Sequence, residues 1–346
     1  MKAVVINQHG SEDVLEYTEL PEPEISENEV LVQVKACALN HLDLWIRGGL
    51  PGLKLPFPHV LGADVSGVAV KVGKLVENTR PGDEVMLSPG ISCMHCEYCL
   101  SGRDNLCASY SLLGTRVPGG YAEFVKAPSF NVLPKPRNLS FEEAASLPLV
   151  FITAWHMLVE RVRLQAGETL LVHAAGSGVG IAAIQIGKLL GARVLTTASS
   201  DEKLRKASAL GADELINYTE KDFLDEVRRL TDKRGVDVVF EHTGEATWEK
   251  SVRSLVRGGR LVTCGATSGY HGNIDIRYLF SKQISLIGSY MGSKYELVNM
   301  LKFFEDGSLK PVVDRVLPLE RAADAHRAVQ ERAQFGKVVL TPQVRA

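Results

Sequence analysis

The sequence predicts an α/β protein, a β-rich first part followed by a doubly wound parallel sheet. Two observations carry that expectation. The first 125 residues hold short β-type runs separated by Gly and Pro. From about Leu164 onward, apolar strands alternate with helices at the spacing of repeated β-α-β units. The chain has 346 residues, and at roughly 100–200 residues per domain two domains are expected. Their expected bounds are 1–149 with 288–346 for the β-rich domain and 150–287 for the doubly wound one.

In the first part the β runs are 30–34, 65–72 and 84–87. Turn signals lie at Gly48-Gly49, Pro81-Gly82 and Pro118-Gly119-Gly120. Ser140 with Glu143 forms a capping box that opens a helix running to Met157. In the second part strands are expected at 169–173, 193–197, 214–217, 237–241, 260–264 and 284–288. Helices are expected at 178–190, 201–210, 221–230 and 246–255. The helix at 178–190 carries Lys188 as its only charge, which suits packing on a parallel sheet. Right-handed crossovers give the strand order 3-2-1-4-5-6. A helix at 319–331 and a strand at 338–340 complete the series.

Composition excludes several function classes. Lys plus Arg number 39 against 41 Asp plus Glu, and no long block of one sign occurs. A nucleic-acid binder needs a concentrated positive footprint, and a peripheral membrane anchor a polybasic one. The early apolar stretch Ala3–Ile6 is too short for a signal peptide, and no 18-residue apolar run occurs. The expected location is the cytoplasm, with no membrane or nucleic-acid partner.

Four of the six cysteines cluster as Cys93-x-x-Cys96-x-x-Cys99-x7-Cys107. In a reducing compartment such spacing points to metal, and four thiolates suit tetrahedral zinc. The surrounding segment has little apolar periodicity, so a metal would organise it. The first three cysteines also match the start of an iron–sulfur run, but the fourth follows after seven residues and Ala108 replaces the usual Pro. Disulfides or free thiols are the remaining alternative. Four protein ligands close the coordination sphere, so one zinc per chain is expected in a structural lobe at 90–107. Cys37 and Cys264 are expected in apolar surroundings as small core residues.

The segment HAAGSGVGIAA, from His173 to Ala183, joins the first strand of the doubly wound part to its first helix. Glycines there admit a pyrophosphate to the backbone, and the helix N-terminus offers free N–H groups and a positive dipole end. The strict G-x-G-x-x-G spacing is not met, since those places hold Ala175, Ser177 and Gly180. Small residues still leave room, so Gly176, Ser177, Gly178, Val179 and Gly180 are candidate dinucleotide contacts. A tight turn without ligand is the alternative. The acid that marks NAD sites aligns with Ala198. Ser199, Ser200 and Lys203 follow and favour NADP(H), whereas Asp201 keeps NAD(H) open. Ser199 or Ser200 can also cap the next helix.

These features together resemble the medium-chain dehydrogenase/reductase superfamily along essentially the whole chain. The resemblance rests on PHVLGADVSGVAVKVG (58–73), Pro81-Gly82-Asp83-Glu84-Val85, the four-cysteine lobe, AAGSGVG and Gly336-Lys337-Val338-Val339-Leu340. It implies a GroES-like catalytic domain and a Rossmann nucleotide-binding domain. Zinc alcohol dehydrogenases of that superfamily hold a catalytic zinc with Cys, the His of Gly-His-Glu, and a second Cys. Here those places read Asn40, Gly62-Ala63-Asp64 and the neighbourhood of Leu149. Asn40-x-x-Asp43-x-x-x-Arg47-x-Gly49 and Ile216-Asn217-Tyr218 instead resemble the quinone oxidoreductase branch, which lacks that zinc.

The resemblance implies that Asn40 hydrogen-bonds substrate or the nicotinamide ribose, that Asp43 orients this network, and that Tyr218 lies by the adenosine end. The alternative makes Asp43 a helix cap and Asn40 a turn residue. His41, Asp43, His59 and Asp64 are the side chains from which a second metal site could be rebuilt. The expected function is hydride transfer from NADPH to a quinone or α,β-unsaturated carbonyl. An NAD(P)-dependent alcohol dehydrogenase and a redox-inactive nucleotide-binding protein are the alternatives. The superfamily implies a homodimer or homotetramer.

Overall fold

The computed structural model describes residues 1–342; the last four residues of the expected first domain lie outside it. The chain forms two compact units, Met1–Leu149 with Ser293–Ala346, and Val150–Gly292. Ser285–Gly288 is still a strand of the second unit's sheet, so the chain returns to the first unit at Ser293 rather than at residue 288.

The first unit is built on a seven-stranded sheet. Its spine is Glu29–Ala38, whose Val30, Val32, Val34, Ala36 and Ala38 are buried. Asp64–Val72, Phe124–Pro128 and Lys337–Thr341 all pair with it antiparallel. The register decides where the chemistry sits. Ala38 lies opposite Asp64 on one side and Val339 on the other. The end of the spine therefore meets the first residue of one neighbour, Asp64, and the beginning of the other, Lys337. A three-stranded sheet of Leu15–Glu19, Lys2–Ile6 and His59–Val60 shares the same apolar core.

The helix expected from Ser140 to Met157 is divided. Ser140 and Glu143 form the capping box, but Phe141–Ala145 ends at Ser146. A second helix, Pro148–Trp155, follows and continues as a π-helical turn through Arg161. Pro148 has no N–H to continue the first helix but fits the first turn of a new one. The break frees the Leu149 N–H, which donates to Asp64.

The second unit is a six-stranded parallel sheet. In chain order its strands are Thr169–Val172, Arg193–Ala198, Glu214–Asn217, Val236–Glu241, Leu255–Thr263 and Ser285–Gly288. Their spatial order is 3-2-1-4-5-6, as the handedness of crossovers requires. The helix Gly178–Leu189 is buried from Gly180 through Gly187, in keeping with its apolar sequence. Among the described residues no helix is long and apolar enough to cross a membrane.

Candidate functional site

The first constellation gathers at the end of the spine strand. Asn40 precedes the helix His41–Gly48 in extended conformation. Its N–H donates to Asp43 at 2.7 Å. Asp43 also accepts the Gly62 N–H at 3.1 Å, and the Tyr121 hydroxyl reaches it. Asp43 thus closes the capping box of this helix and holds the Asn40 backbone in place. Gly62 sits at φ +101°, and a Cβ there would meet the Tyr121 ring at 2.5 Å, so glycine is required. Burial pushes Asp43 up to about 6, against the pull of its N–H donors and Lys337.

The Asn40 side chain is held at both ends. Lys337 Nζ donates to its Oδ1 at 2.5 Å, and its Nδ2 donates to Asp64 at 2.9 Å. Lys337 also reaches Asp64 at 3.1 Å, and Asp64 takes the Leu149 N–H at 2.9 Å. All three side chains are buried. Lysine can only donate, so it assigns the amide oxygen and leaves Nδ2 as the donor end.

Behind Asp43 runs a one-way chain. Arg47 Nη1 donates to His326 Nδ1 at 3.1 Å. Burial, reinforced by Arg47, pushes His326 down to about 3, so the ring is neutral. With Nδ1 accepting, the proton sits on Nε2 and is donated to Tyr121 at 3.1 Å. The Tyr121 proton is then left for Asp43. Sequence reasoning missed Lys337, Tyr121 and His326 as site residues. Only the Gly336-Lys337 dipeptide gave a sign, and nothing in its spacing connects it to residue 40.

The residues considered for a second metal do not converge. His59 is buried on the Gly114 carbonyl at 3.1 Å, and His41 stands edge-on to Trp45. The carboxylates of Asp43 and Asp64 are committed as above. Asn40 offers one amide oxygen, already bound to Lys337, while Ala63 and Leu149 have no ligand atom.

The second constellation is Cys93, Cys96, Cys99 and Cys107, whose sulfurs lie within 4.8 Å of one another. It is the one such group of His, Cys, Asp or Glu among the described residues. Tetrahedral zinc with Zn–S near 2.3 Å places sulfurs about 3.8 Å apart. Cys93–Cys99 measures 3.8 Å and Cys96–Cys99 3.5 Å, so the donor set fits. The backbone N–H of His95 leads those that pull Cys93 down to about 6, while burial pushes Cys99 up to about 11. The lobe is tied to the helix Lys294–Glu305 through Asp104, which receives both the N–H and the ammonium of Lys294 at 2.9 Å. Of the other cysteines, Cys37 is fully buried and Cys264 half-buried.

The third constellation lies at the carboxyl ends of the second unit's strands. Ser177 caps Gly178–Leu189 by accepting the Gly180 N–H at 2.9 Å. A Cβ on Gly180 would stand 2.5 Å from the Ala174 carbonyl, so the helix and turn approach as closely as the pyrophosphate motif demands. The N–H groups of Gly178 and Val179 belong to the first turn, which has no intrahelical acceptor for them. Ser199 follows the strand ending at Ala198. Ser200 caps Asp201–Ala209 through a long 3.4 Å bond from the Lys203 N–H. Tyr218 is brought beside Ala198 by its own N–H at 3.1 Å, with its ring exposed. Gly176, Ser177, Gly178, Val179, Gly180, Ser199, Ser200, Lys203 and Tyr218 thus share one end of one sheet.

Residues 26–137 match the alcohol dehydrogenase GroES-like domain, and residues 178–306 match the zinc-binding dehydrogenase family. An NAD-dependent alcohol dehydrogenase of Sulfolobus acidocaldarius is 31% identical, over 98% of this chain and 99% of that protein. The quinone oxidoreductase of Homo sapiens is 30% identical, over 98% and 97%. The chain belongs to the medium-chain dehydrogenase/reductase superfamily. A crystal structure of an NAD-dependent alcohol dehydrogenase superposes with a TM-score of 0.96 at 54% identity, covering 99% of each chain. As a superfamily member the protein is an oxidoreductase, which sets aside a redox-inactive binder. Its relatives include both alcohol dehydrogenases and quinone oxidoreductases, so membership alone does not choose between them.

Two predictions follow from the geometry. The lobe is expected to bind one zinc, and chelation or Cys107→Ser is expected to abolish that binding and unfold 90–107 locally, read as new protease cleavage there together with loss of metal. The pH dependence of stability has two opposed parts. Asp43, raised from 3.8 to about 6, contributes stability below pH 4 that is lost as pH rises through 6. His326, lowered from 6.5 to about 3, does the reverse and loses stability as pH falls through that window. Urea unfolding at about pH 7 and 4.5 is therefore expected to show the penalty of Asp43→Asn growing on acidification and that of His326→Gln shrinking.

Proposed function

We propose that the protein transfers hydride from a nicotinamide dinucleotide to a quinone or an α,β-unsaturated carbonyl without a catalytic metal. The observation that carries this reading is the Asn40 amide, buried and pinned between Lys337 and Asp64 where zinc relatives place a ligand. The dinucleotide is held by Gly176, Ser177, Gly178, Val179 and Gly180, with Tyr218 beside the adenosine. Bound there, its reduced ring supplies two electrons as hydride. A conjugated carbonyl accepts hydride at carbon as its C=C bond breaks and its oxygen becomes an enolate, or a phenolate from a quinone. Asn40 Nδ2 donates its second hydrogen to that oxygen, and the proton that completes the product comes from water. Lys337 withdraws electron density from the amide oxygen and so sharpens the donor. Asp43 keeps the Asn40 backbone in place.

An isolated alcohol needs more help than an amide gives. Zinc lowers the pKa of bound water from 15.7 to about 7, roughly 10 kcal/mol of assistance at ~1.4 kcal/mol per unit. Asn40, Ala63 and Leu149 do not form such a ligand set. For the cofactor, the sequence favours NADP(H) through Ser199, Ser200 and Lys203. Ser200, however, is spent on its helix cap, and the Asp201 carboxylate is presented beside them on Asn217 at 3.0 Å. With the NAD-dependent relatives this supports NAD(H). The edge strand Ser285–Gly288, with Ile276 and Phe280 exposed on the helix beside it, supports a homodimer joined edge to edge, or a homotetramer of two such pairs.

Asn40→Ala is expected to lower kcat with an enone or benzoquinone by about 10²–10³-fold with the dinucleotide KM unchanged. Lys337→Met should do the same more weakly. The fully loaded protein should hold one zinc per chain; two, with alcohol oxidation lost when the second is removed, would establish the alcohol dehydrogenase reading instead. NADH is expected to give the higher kcat/KM; a higher value with NADPH would restore the preference the sequence suggests.

A further inference from the structure

We propose that Glu241 is a positioning residue for the dinucleotide, holding the glycine turn in shape through a directed chain of Ser251, His173 and Thr197. The inference rests on the reading of that turn as the cofactor site.

Glu241 ends the strand Val236–Glu241 and is fully buried. No Lys or Arg pairs with it among the described residues, so its charge must be carried by hydrogen bonds. It receives them from the Thr243 N–H at 2.7 Å, the Gly244 N–H at 3.1 Å, the Thr247 hydroxyl at 2.9 Å and the Ser251 hydroxyl at 2.8 Å. Burial raises its pKa, but these donors outweigh that and hold the carboxyl below its usual range.

Proton counting then sets the direction of everything beyond it. Ser251 has one hydrogen, and Glu241 takes it. The Ser251 oxygen must therefore accept from His173 Nε2, 2.8 Å away. Burial lowers the His173 pKa, so the ring is neutral and its Nδ1 is an acceptor. Nδ1 faces the Thr197 hydroxyl at 3.3 Å, which donates to it. The Thr197 oxygen is left with lone pairs only, and one receives the Ala174 N–H at 3.2 Å. The chain runs from the turn to the carboxylate with every hydrogen assigned.

Its far end is the residue whose backbone needs holding. Ala174 has φ +50°, the left-handed region that a side chain disfavours. Its carbonyl is the atom closest to the missing Cβ of Gly180, so its position sets how the turn meets the helix that offers N–H groups to phosphate. Two further bonds brace it: His242 Nε2 donates to the His173 carbonyl at 2.9 Å, and the Ala175 N–H to the Thr197 carbonyl at 2.9 Å. Glu241 touches no cofactor atom in this scheme; it fixes the proton order that keeps Ala174 in place.

Glu241→Gln tests the direction itself. The new amide nitrogen donates to Ser251, whose hydrogen turns to His173 Nε2, and the ring must shift to its Nδ1–H tautomer. That hydrogen then competes with the Ala174 N–H for Thr197. In the full-length, zinc-loaded protein, imidazole nitrogen NMR is expected to show His173 protonated on Nε2 in the wild type and on Nδ1 in the variant. The Kd for NADH and NADPH is expected to rise by the same factor, on the order of tenfold to a hundredfold, while kcat at saturating cofactor stays within about twofold. Ser251→Ala, which cuts the chain without touching the carboxylate, should weaken both dinucleotides likewise, and it decides the matter if Glu241→Gln does not fold. Variants that melt lower yet bind dinucleotide like the wild type would reduce the network to core packing and overturn the inference alone. A wild type that binds neither dinucleotide would overturn the cofactor reading and the inference with it.

Discussion

The buried contact of Lys337 with Asp64 is the constraint on which the first unit's chemistry depends. Two opposite charges removed from water are costly unless each finds further partners. Here the partners are the Asn40 amide and the Leu149 N–H, so satisfying the pair and orienting the amide are one event. The sheet register delivers both charges to the end of the spine strand, where Asn40 begins the next helix. In zinc relatives a metal would supply positive charge at this place. In this chain the ammonium of Lys337 lies there, donating to the Asn40 amide oxygen and reaching Asp64.

The two units solve the same physical problem in similar ways. Each buries a carboxylate without letting it meet a mobile cation, and each surrounds it with donors whose hydrogens can be counted. In the first, Arg47 can only donate, so the order of protons through His326 and Tyr121 toward Asp43 is forced from the outside. In the second, the carboxylate of Glu241 can only accept, and the order through Ser251, His173 and Thr197 is forced from the inside. Neutral histidines serve as the polarised middle in both, which burial secures by disfavouring their charged form.

What was legible in the sequence was local. The cysteine spacing and the strand–glycine–helix order each lie within a few tens of residues, and the alternation of strands and helices yielded the sheet order of the second unit. The Ser140–Glu143 box was found, yet the same signal at Ser293 and Glu296 marks the helix Lys294–Glu305, which was not anticipated. The helix through Met157 reads as one segment because its apolar pattern continues across Pro148, where the structure divides it. The network around Asn40 was out of reach for a different reason. Lys337 lies 297 residues away, and only the pairing of Glu29–Ala38 with Lys337–Thr341 brings them together. His326 and Tyr121, 205 residues apart, are likewise joined by tertiary packing that no periodicity encodes.

That pairing has a bearing on how the molecule is made. Lys337–Thr341 is an interior strand, flanked by Glu29–Ala38 and Val313–Pro318. Until it leaves the ribosome, the central sheet of the first unit has an open seam, while Val150–Gly292 already holds every strand of its own sheet. The inserted unit can therefore fold to completion during synthesis, and the unit that begins the chain must be the last to close.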